Sequence, residues 1–369
     1  MKKILLIVGT RPEALKVIPV YLAFKKKSFG EVKLVSTGQH KEMLDQIFDF
    51  FQIKPDVELN LMKKNQTLAQ ISSLLFKELD KVLTEEKPDV LMVQGDTTSA
   101  MVAGITAYYH KVKVAHIEAG LRSFNNLAPF PEEVNRKIIS QIASIHFAPT
   151  RQAQHNLKKE GATNVYVVGN TAIDCLLLGK SSVKQNIEYY RSRFSGLNKH
   201  GRKLVLITAH RRESFGEGLQ NICAAIKTLS AEFTKCDFAF PVHLNPNIQQ
   251  PVQQKLGSIE NVFLLPPLPY DDMVFLLSRA YMVLTDSGGI QEEAPSMNVP
   301  LIVLRDVTER PEGIKAGCSV LGGTSAKRIV ETFRKIFLND GLYKKMSTAK
   351  NPYGDGQTAR RIVSLMAAR

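Results

Sequence analysis

The chain has 369 residues, of which 44% are hydrophobic and 23% charged, and this composition excludes a largely disordered protein and predicts two domains. The net charge of +14 is spread evenly, because residues 1–170 hold 23 basic against 17 acidic side chains and residues 171–369 hold 26 against 18. A nucleic-acid site would concentrate that charge, so we expect a solvated surface and no nucleic-acid partner.

The apolar runs and the cysteines of the sequence indicate the compartment. No run approaches the roughly 18 apolar residues that span a bilayer, and residues 4–8 are read as a first core strand rather than a signal peptide. Four scattered cysteines, Cys175, Cys223, Cys236 and Cys318, form no CxxC pair and favour neither a disulfide framework nor a zinc site. We therefore expect a cytoplasmic protein without stable membrane association and without a metal.

Short β-rich runs alternate with helix-length amphipathic stretches along the whole chain. In the first half, strands are predicted at residues 4–8, 32–36, 90–93, 114–117, 146–148 and 165–168. In the second half, they are predicted at residues 204–208, 238–242, 262–265, 282–284 and 301–304. Short runs that are apolar on both faces are typical of parallel strands covered by helices. The pattern predicts two doubly wound Rossmann-like α/β domains that face a central cleft.

The expected domain boundaries follow from composition. The polar segment 181–202 lacks an apolar run and is read as the helix and linker that enter the second domain. A turn-rich stretch at residues 351–356 precedes a helical pattern at residues 359–366. We predict an N-terminal domain at 1–169, a C-terminal domain at 170–352, and a last helix within 353–369 that returns to the first domain.

A polar turn follows the first predicted strand. It reads Gly-Thr-Arg-Pro-Glu-Ala-Leu-Lys from Gly9 to Lys16 and places Arg11 at a helix N-terminus, where backbone N–H groups bind anions. The alternative is a plain strand-to-helix turn, which does not require an arginine.

Carboxylates follow two further strands, Asp96 after residues 90–93 and Glu118 after residues 114–117, and Glu132 lies where the next helix opens. Carboxylates that converge on one edge of a sheet raise one another's pKa, which favours a general acid and a general base. The alternative is that Asp96 caps the following helix and Glu118 pairs with an arginine.

The second half repeats this placement of polar residues. His210 follows residues 204–208 and is predicted to transfer a proton or bind phosphate, and His243 follows residues 238–242, where a structural role is equally open. Ser287, Gly288 and Gly289 start a helix after residues 282–284 and can present N–H groups to a diphosphate. Glu293 is placed to accept from ribose hydroxyls, and the segment from Arg305 to Glu312, which contains Arg310, supplies a further cation beside the same cleft. These features favour a nucleotide-sugar site.

The ordered motifs together resemble one family, the non-hydrolysing bacterial UDP-N-acetylglucosamine 2-epimerases. The motifs are GTRPEALK, GDTTSA, HIEAGLRS, PEEVNR, AHRRESFG, PVHLNPN, TDSGGIQEEAPS, RDVTERPE and NPYGDGQ. The resemblance runs from Met1 to the final helix. It implies the two-domain fold of the GT-B glycosyltransferases, a cytoplasmic homodimer, and a place in polysaccharide biosynthesis.

The resemblance also implies the reaction, which interconverts UDP-N-acetylglucosamine and UDP-N-acetylmannosamine without a metal or redox cofactor. In that mechanism a base removes the C2 proton, UDP leaves C1 by anti elimination, and UDP adds back to 2-acetamidoglucal as a proton reaches the opposite face of C2. The runner-up substrate is another UDP-2-acetamido sugar, in a 6-deoxy or uronic form. Two competing functions are a GT-B glycosyltransferase and a hydrolysing epimerase that releases free N-acetylmannosamine.

Residue roles carried over by matching position are part of what the resemblance implies. The acid/base candidates are Asp96, Glu118 and Glu132, with His210 near the diphosphate. The substrate-binding candidates are Arg11, Lys16, Leu268, Met273, Ser287, Gly288, Gly289, Glu293 and Arg310. A second, activating UDP-N-acetylglucosamine would be bound by Gln39, Arg211 and His243, although Glu42 and Asn65 replace a glutamine and an arginine of that site.

Overall fold

The computed structural model describes residues 2–27, 29–39, 41–62, 65–197, 199–209 and 216–368. The chain divides into two compact units, the first formed by Met1–Leu178 with Gly354–Arg369 and the second by Gly179–Tyr353. The expected boundaries after residues 169 and 352 stay predictions.

The first unit contains a seven-stranded parallel sheet. Its strands are Lys2–Val8 (β1), Gly30–Ser36 (β2), Val57–Glu58 (β3), Val90–Gln94 (β4), Lys113–Ile117 (β5), Ile145–Ala148 (β6) and Val165–Val167 (β7). They lie in the order β3-β2-β1-β4-β5-β6-β7.

The second unit contains a six-stranded parallel sheet. Its strands are Lys203–Thr208 (β8), Cys236–Pro241 (β9), Val262–Leu265 (β10), Ala280–Thr285 (β11), Leu301–Val303 (β12) and Ser319–Leu321 (β13). They lie in the order β10-β9-β8-β11-β12-β13.

Helices connect the strands. In the first unit they are Arg11–Lys27 (α1), Lys41–Phe50 (α2), Leu68–Glu86 (α3), Thr98–Tyr109 (α4), Glu132–Ile142 (α5), Arg151–Lys159 (α6) and Thr171–Gln185 (α7), the last of which continues into the second unit. In the second unit they are Ile187–Arg193 (α8), Glu217–Glu232 (α9), Pro246–Leu256 (α10), Tyr270–Arg279 (α11), Gly288–Glu293 (α12), Pro311–Ala316 (α13), Ala326–Phe337 (α14) and Asp340–Ser347 (α15). The final helix, Thr358–Ala367 (α16), belongs to the first unit.

Both sheets have the same topology, and it determines where a site can form. In each sheet the second and third strands are added on one side of the first strand, and all later strands are added on its other side. The strand order therefore reverses between β1 and β4 in the first unit and between β8 and β11 in the second. Doubly wound sheets bind ligands beyond the carboxyl ends of their strands at this reversal. The turns after β1 and β4, and after β8 and β11, are therefore where this fold favours a binding site.

The strand pattern of the sequence is confirmed, because each of the eleven predicted runs contains a strand of the expected sheet. Residues 4–8 of β1 are at most 1% exposed, as expected for a strand covered on both faces. The edge strands β3 and β13 were not predicted, since they have only two and three residues.

The last helix is attached to the first unit through its N-terminus. The backbone N–H of Ala359 donates to Oδ1 of the buried Asp174 at 2.8 Å, and the Arg361 guanidinium donates to the carbonyl of Val168 at 3.1 Å. Among the described residues, no helix is long and apolar enough to cross a membrane.

Candidate active site

The turn between β1 and α1 is organised around a buried carboxylate. Glu13 is the third residue of α1, and its Oε2 accepts from the backbone N–H groups of Gly9 at 3.0 Å and Thr10 at 2.7 Å. The Thr10 hydroxyl lies 2.8 Å from the same oxygen and 3.5 Å from the Glu13 N–H, so Thr10 and Glu13 form a capping box. Arg11 opens the helix directly after this turn and is half-buried.

Glu13 also reaches the neighbouring turn. The Thr97 hydroxyl, at the start of α4, donates to Oε1 of Glu13 at 2.6 Å. Burial raises the pKa of Glu13, although the hydrogen bonds from Thr97, Thr10 and Gly9 oppose that shift. One carboxylate thus connects the two turns at the reversal of the first sheet.

Glu118 lies directly after β5 and receives two donors. Lys16, one turn into α1, forms a close ion pair with Oε1 of Glu118. The side-chain amide of Gln94, the last residue of β4, donates to Oε2 at 2.5 Å. Glu118 has a φ of 64°, a backbone conformation that non-glycine residues rarely adopt and that concentrates at functional sites.

Asp96 is held by α5. The Arg136 Nε donates to Asp96 Oδ2 at 2.8 Å, and Nη2 lies 2.6 Å from the same oxygen. The Asn135 side chain donates to the Asp96 carbonyl at 2.8 Å, so adjacent residues of α5 fix both the side chain and the main chain. Burial raises the pKa of Asp96, the Arg136 cation opposes this, and the nearby Glu118 carboxylate adds to it.

A second carboxylate of α5 supports Arg136. Glu133 is fully buried and lies 3.2 Å from Arg136 Nη1, and it accepts from the N–H groups of Ser123 at 2.9 Å and Phe124 at 3.2 Å. Burial alone would raise the pKa of Glu133, but these donors outweigh it and lower the pKa. Glu132 opens the same helix and is half-buried.

These contacts correct the two structural alternatives for the carboxylates. Thr97, not Asp96, is the residue that caps α4, because its side chain accepts from the Ala100 N–H at 3.0 Å. Glu118 pairs with a lysine, Lys16, rather than an arginine. The first unit therefore brings Lys16, Asp96 and Glu118 together at one edge of its sheet.

Two buried histidines lie behind this edge. His116 on β5 pairs in register with His146 on β6, and both are at most 1% exposed. The His116 Nε2 lies 2.7 Å from the carbonyl of Gly95, the residue before Asp96. Burial lowers the pKa of His116 to about 3 and that of His146 to about 4, so both rings are neutral at pH 7.

In the second unit, the turn after β11 contains the predicted diphosphate cradle. The Thr285 hydroxyl lies 2.5 Å from that of Thr208 on β8 and accepts from the Ser287 N–H at 2.9 Å. Ser287 is the N-cap residue of α12, and Gly288 and Gly289 are its first two residues. Among the described residues, a side chain at Gly289 would approach the Ser287 hydroxyl alone, at 4.0 Å.

Arg310 is positioned by contacts that the sequence did not reveal. Its Nε donates to Oε1 of Glu292 at 2.5 Å, and its carbonyl accepts from the Tyr353 hydroxyl at 3.0 Å. The same hydroxyl accepts from the Gly313 N–H at 2.9 Å. Asn351 donates to the Glu292 carbonyl at 3.0 Å, which shows why the segment Asn-Pro-Tyr belongs to this site.

The other predicted residues of the second unit are distributed over several elements. Leu268 lies in the loop after β10 and Met273 in α11, and both are half-buried. Glu293 ends α12 and is half-buried. His243 is exposed, and its Nδ1 accepts from the Asn245 N–H at 3.1 Å. His210 and Arg211 lie outside the described residues.

Gln39 lies in the first unit and accepts from the Ser99 hydroxyl at 3.0 Å. It lines a pocket of about 320 Å³ together with Lys41, Glu42 and Met62. In the part of the chain that the structure describes, no group of three or more His, Cys, Asp and Glu side chains is arranged to hold a metal ion.

Sequence reasoning missed Glu13, Arg136, Glu292 and Tyr353 as parts of the site. A signal existed for Glu13, because Thr10 and Glu13 have the spacing of a capping box before an apolar helix. Arg136 and Glu292 are charged residues within recognised motifs, but their partners are 40 and 18 residues away. No local pattern identifies such pairs.

The sequence of this chain is similar to those of known proteins. The family model described as UDP-N-acetylglucosamine 2-epimerase matches residues 22–367. The UDP-N-acetylglucosamine 2-epimerase of Campylobacter jejuni is 42% identical over 373 aligned residues, which cover 99% of this chain and 97% of that protein.

Solved structures agree with the sequence comparison. The crystal structure of the Neisseria meningitidis UDP-GlcNAc 2-epimerase, bound to UDP-GlcNAc, has a TM-score of 0.90 and 42% identity, and the match covers 100% of both chains. MurG of Acinetobacter baumannii has a TM-score of 0.61 at 11% identity over 100% of both chains, and that likeness shows the GT-B type of fold alone. The chain belongs to the UDP-N-acetylglucosamine 2-epimerase family.

Proposed function

We propose that the protein interconverts UDP-N-acetylglucosamine and UDP-N-acetylmannosamine by inverting the configuration at C2. The observation that carries this proposal is the cluster at the carboxyl edge of the first sheet, where Lys16 pairs with Glu118 and Arg136 pairs with Asp96. It occurs in a chain that is 42% identical to an epimerase over nearly its whole length.

The reaction requires groups that move a proton at C2 and stabilise the departing UDP at C1. We assign the proton transfers to Asp96, Glu118 and Glu132, and the Glu118 carboxylate lies close enough to Asp96 to raise the pKa of Asp96. Removal of the C2 proton and departure of UDP form the C1=C2 double bond of 2-acetamidoglucal. UDP then adds back to C1 while a proton reaches the other face of C2. Burial raises the pKa of Asp96, and a carboxylic acid with a raised pKa is suited to such steps near neutral pH.

The basic and main-chain groups are assigned to UDP. Arg11 and Lys16 in the first unit, and Ser287, Gly288, Gly289 and Arg310 in the second, would hold the diphosphate and sugar, with Glu293 on the ribose. The support in the first unit is the placement of two cations on α1, Arg11 at its first position and Lys16 one turn later, beside the carboxylate cluster. Leu268 and Met273 are assigned to the base, and His210 to the diphosphate.

The finer parts of the proposal concern setting and assembly. We expect a cytoplasmic homodimer that needs no metal or redox cofactor and that contributes to polysaccharide biosynthesis. The four cysteines are buried and none of them forms a disulfide, which suits a reducing compartment. Gln39, Arg211 and His243 stay the predicted contacts of a second, activating UDP-sugar.

Proton NMR of UDP-N-acetylglucosamine with the purified enzyme in D2O, without added metal or nicotinamide, tests the function. UDP-N-acetylmannosamine with deuterium at C2 is the expected product. An unchanged spectrum would overturn the proposed substrate and lead to 6-deoxy and uronic UDP-2-acetamido sugars, then to a transferase assay. Free N-acetylmannosamine would instead identify a hydrolysing enzyme.

A further inference from the structure

One hydrogen bond connects the two turns at the reversal of the first sheet. The Thr97 hydroxyl donates to Oε1 of Glu13 at 2.6 Å, joining the turn that carries Arg11 to the turn that carries Asp96. We propose that Glu13 and Thr97 are positioning residues, whose hydrogen bond sets the location of Asp96 relative to Arg11 and Lys16. This inference rests on the proposed function, because it concerns the same reaction.

The Glu13 side of this connection is rigid. Its side chain is 2% exposed, and Oε2 is held by three donors from Gly9 and Thr10, at 2.7 to 3.0 Å. Each of these donors belongs to the turn that leads into α1, so Oε1 has a fixed position relative to that helix. Lys16 lies one turn further along α1 and pairs with Glu118.

The Thr97 side is equally constrained. Its oxygen accepts from the Ala100 N–H at 3.0 Å while its proton goes to Glu13, so both bonding directions of the hydroxyl are defined. Asp96 is the preceding residue, and α5 holds it through Arg136 and Asn135. Movement of Thr97 would therefore act directly on the main chain of Asp96.

Helix capping alone does not account for this arrangement. The capping box of α3, formed by Thr67 and Gln70, and the cap of α6 by Thr150 serve their own helices with neutral side chains. Glu13 is instead a buried carboxylate, which costs free energy unless donors satisfy it. Its fourth donor comes from 84 residues away in the chain, on a second helix. Glu13 therefore accepts hydrogen bonds from both turns, as a cross-link between them requires.

Variants of Thr97 test the cross-link. Thr97→Ser keeps the hydroxyl, and its kcat should stay within about threefold of wild type. Thr97→Val keeps the shape but not the hydroxyl, and its kcat should fall about 10- to 100-fold, with KM for UDP-N-acetylglucosamine changed less than about threefold. Thr106→Val is the matched control, because its buried hydroxyl lies on the same helix and donates to the Val102 carbonyl, at 2.8 Å, within its own helix.

A double-mutant cycle separates positioning from general stability. Glu13→Gln should also lower kcat, and Glu13→Gln with Thr97→Val should lower it no further than the worse single variant, because one connection is lost in each case. All variants are compared below their unfolding transitions, and Thr97→Ala replaces Thr97→Val if the latter does not fold.

The outcomes distinguish this inference from the proposed function. If wild type incorporates deuterium at C2 but Thr97→Val retains wild-type kcat, the positioning role is wrong. It is also wrong if Thr97→Ser is as impaired as Thr97→Val, if Thr106→Val loses as much activity, or if the losses of Glu13→Gln and Thr97→Val multiply. Failure of wild type to epimerise would refute the proposed function itself.

Discussion

Arg136 holds Asp96 through a single carboxylate oxygen. Nε donates to Oδ2 at 2.8 Å and Nη2 lies 2.6 Å from the same atom, whereas within the described part of the chain Oδ1 receives no hydrogen bond from Arg136. An ordinary fork would engage both oxygens. The observed pairing orients the carboxylate through one oxygen, which is compatible with the proton transfer that we propose for Asp96.

The first prediction concerns Asp96→Asn. We expect kcat to fall by at least about 100-fold, because the amide cannot transfer the proton, while UDP affinity changes less than about threefold. Deuterium incorporation and titration calorimetry with UDP measure the two effects. Asp89→Asn is the matched control, since Asp89 is exposed at the opposite end of the same strand. Loss of UDP affinity in Asp96→Asn would make Asp96 a binding or structural residue.

The second prediction uses Arg136→Gln to identify the limb of the pH profile that reports Asp96. The Arg136 cation lowers the pKa of Asp96, so its removal raises that pKa. If Asp96 acts as the base, the acidic limb of kcat/KM moves to higher pH, and if it acts as the acid, the alkaline limb does.

Arg136→Lys is the control for this experiment, because it keeps the positive charge and should keep the profile nearer to wild type. Glu133 retains its two backbone donors in both variants, at Ser123 and Phe124. A profile of Arg136→Gln in which neither limb moves would contradict a catalytic ionisation at Asp96.

The strands that could be predicted from the sequence are those whose burial requires a run of apolar residues. Runs such as residues 4–8 and 90–93 are apolar because helices cover both faces of the sheet, and that requirement is visible in the sequence. The edge strand Val57–Glu58 pairs through only two residues and needs no apolar run, so composition could not reveal it.

The predictable part of the candidate site is its location. Residues that follow parallel strands meet at one edge of the sheet, and the strand pattern alone therefore places Asp96 and Glu118 near each other. Their cations could not be predicted, because Lys16 is 102 residues from Glu118 and α5 must fold onto the sheet before Arg136 reaches Asp96. Position follows from topology, whereas pairing depends on tertiary packing.

The third prediction concerns the pH dependence of stability. Burial lowers the pKa of His146 to about 4, from 6.5 for an exposed ring, so the unfolded chain binds more protons between these values. The stability that this neutral ring contributes is present above pH 6.5 and is lost as pH falls toward about 4. His146→Gln should therefore show a smaller fall of Tm across this window than wild type.

His155→Gln is the control for this measurement, because His155 is exposed and the slope of Tm against pH should match that of wild type. Scanning calorimetry at several pH values across the window measures both variants. An unchanged slope in His146→Gln would show that other groups dominate acid destabilisation, with His116, whose pKa is about 3, the next to examine.

The fourth prediction tests the support of Arg310. Tyr353 is buried, and its hydroxyl accepts from the Gly313 N–H and donates to the Arg310 carbonyl. Tyr353→Phe leaves both groups without this partner, which should lower the free energy of unfolding by about 1–3 kcal/mol. Because the carbonyl belongs to Arg310, we also expect KM for UDP-N-acetylglucosamine to rise by at least about threefold.

Tyr343→Phe separates the two effects, since it removes a hydroxyl from the same unit that donates to the Tyr281 carbonyl, at 3.1 Å, and not to Arg310. Its stacking on Tyr281, with ring centroids 4.1 Å apart, does not depend on the hydroxyl. We expect a smaller loss of stability in denaturant titrations and an unchanged KM. An equal rise of KM in both variants would mean that global loosening, rather than the position of Arg310, governs substrate binding.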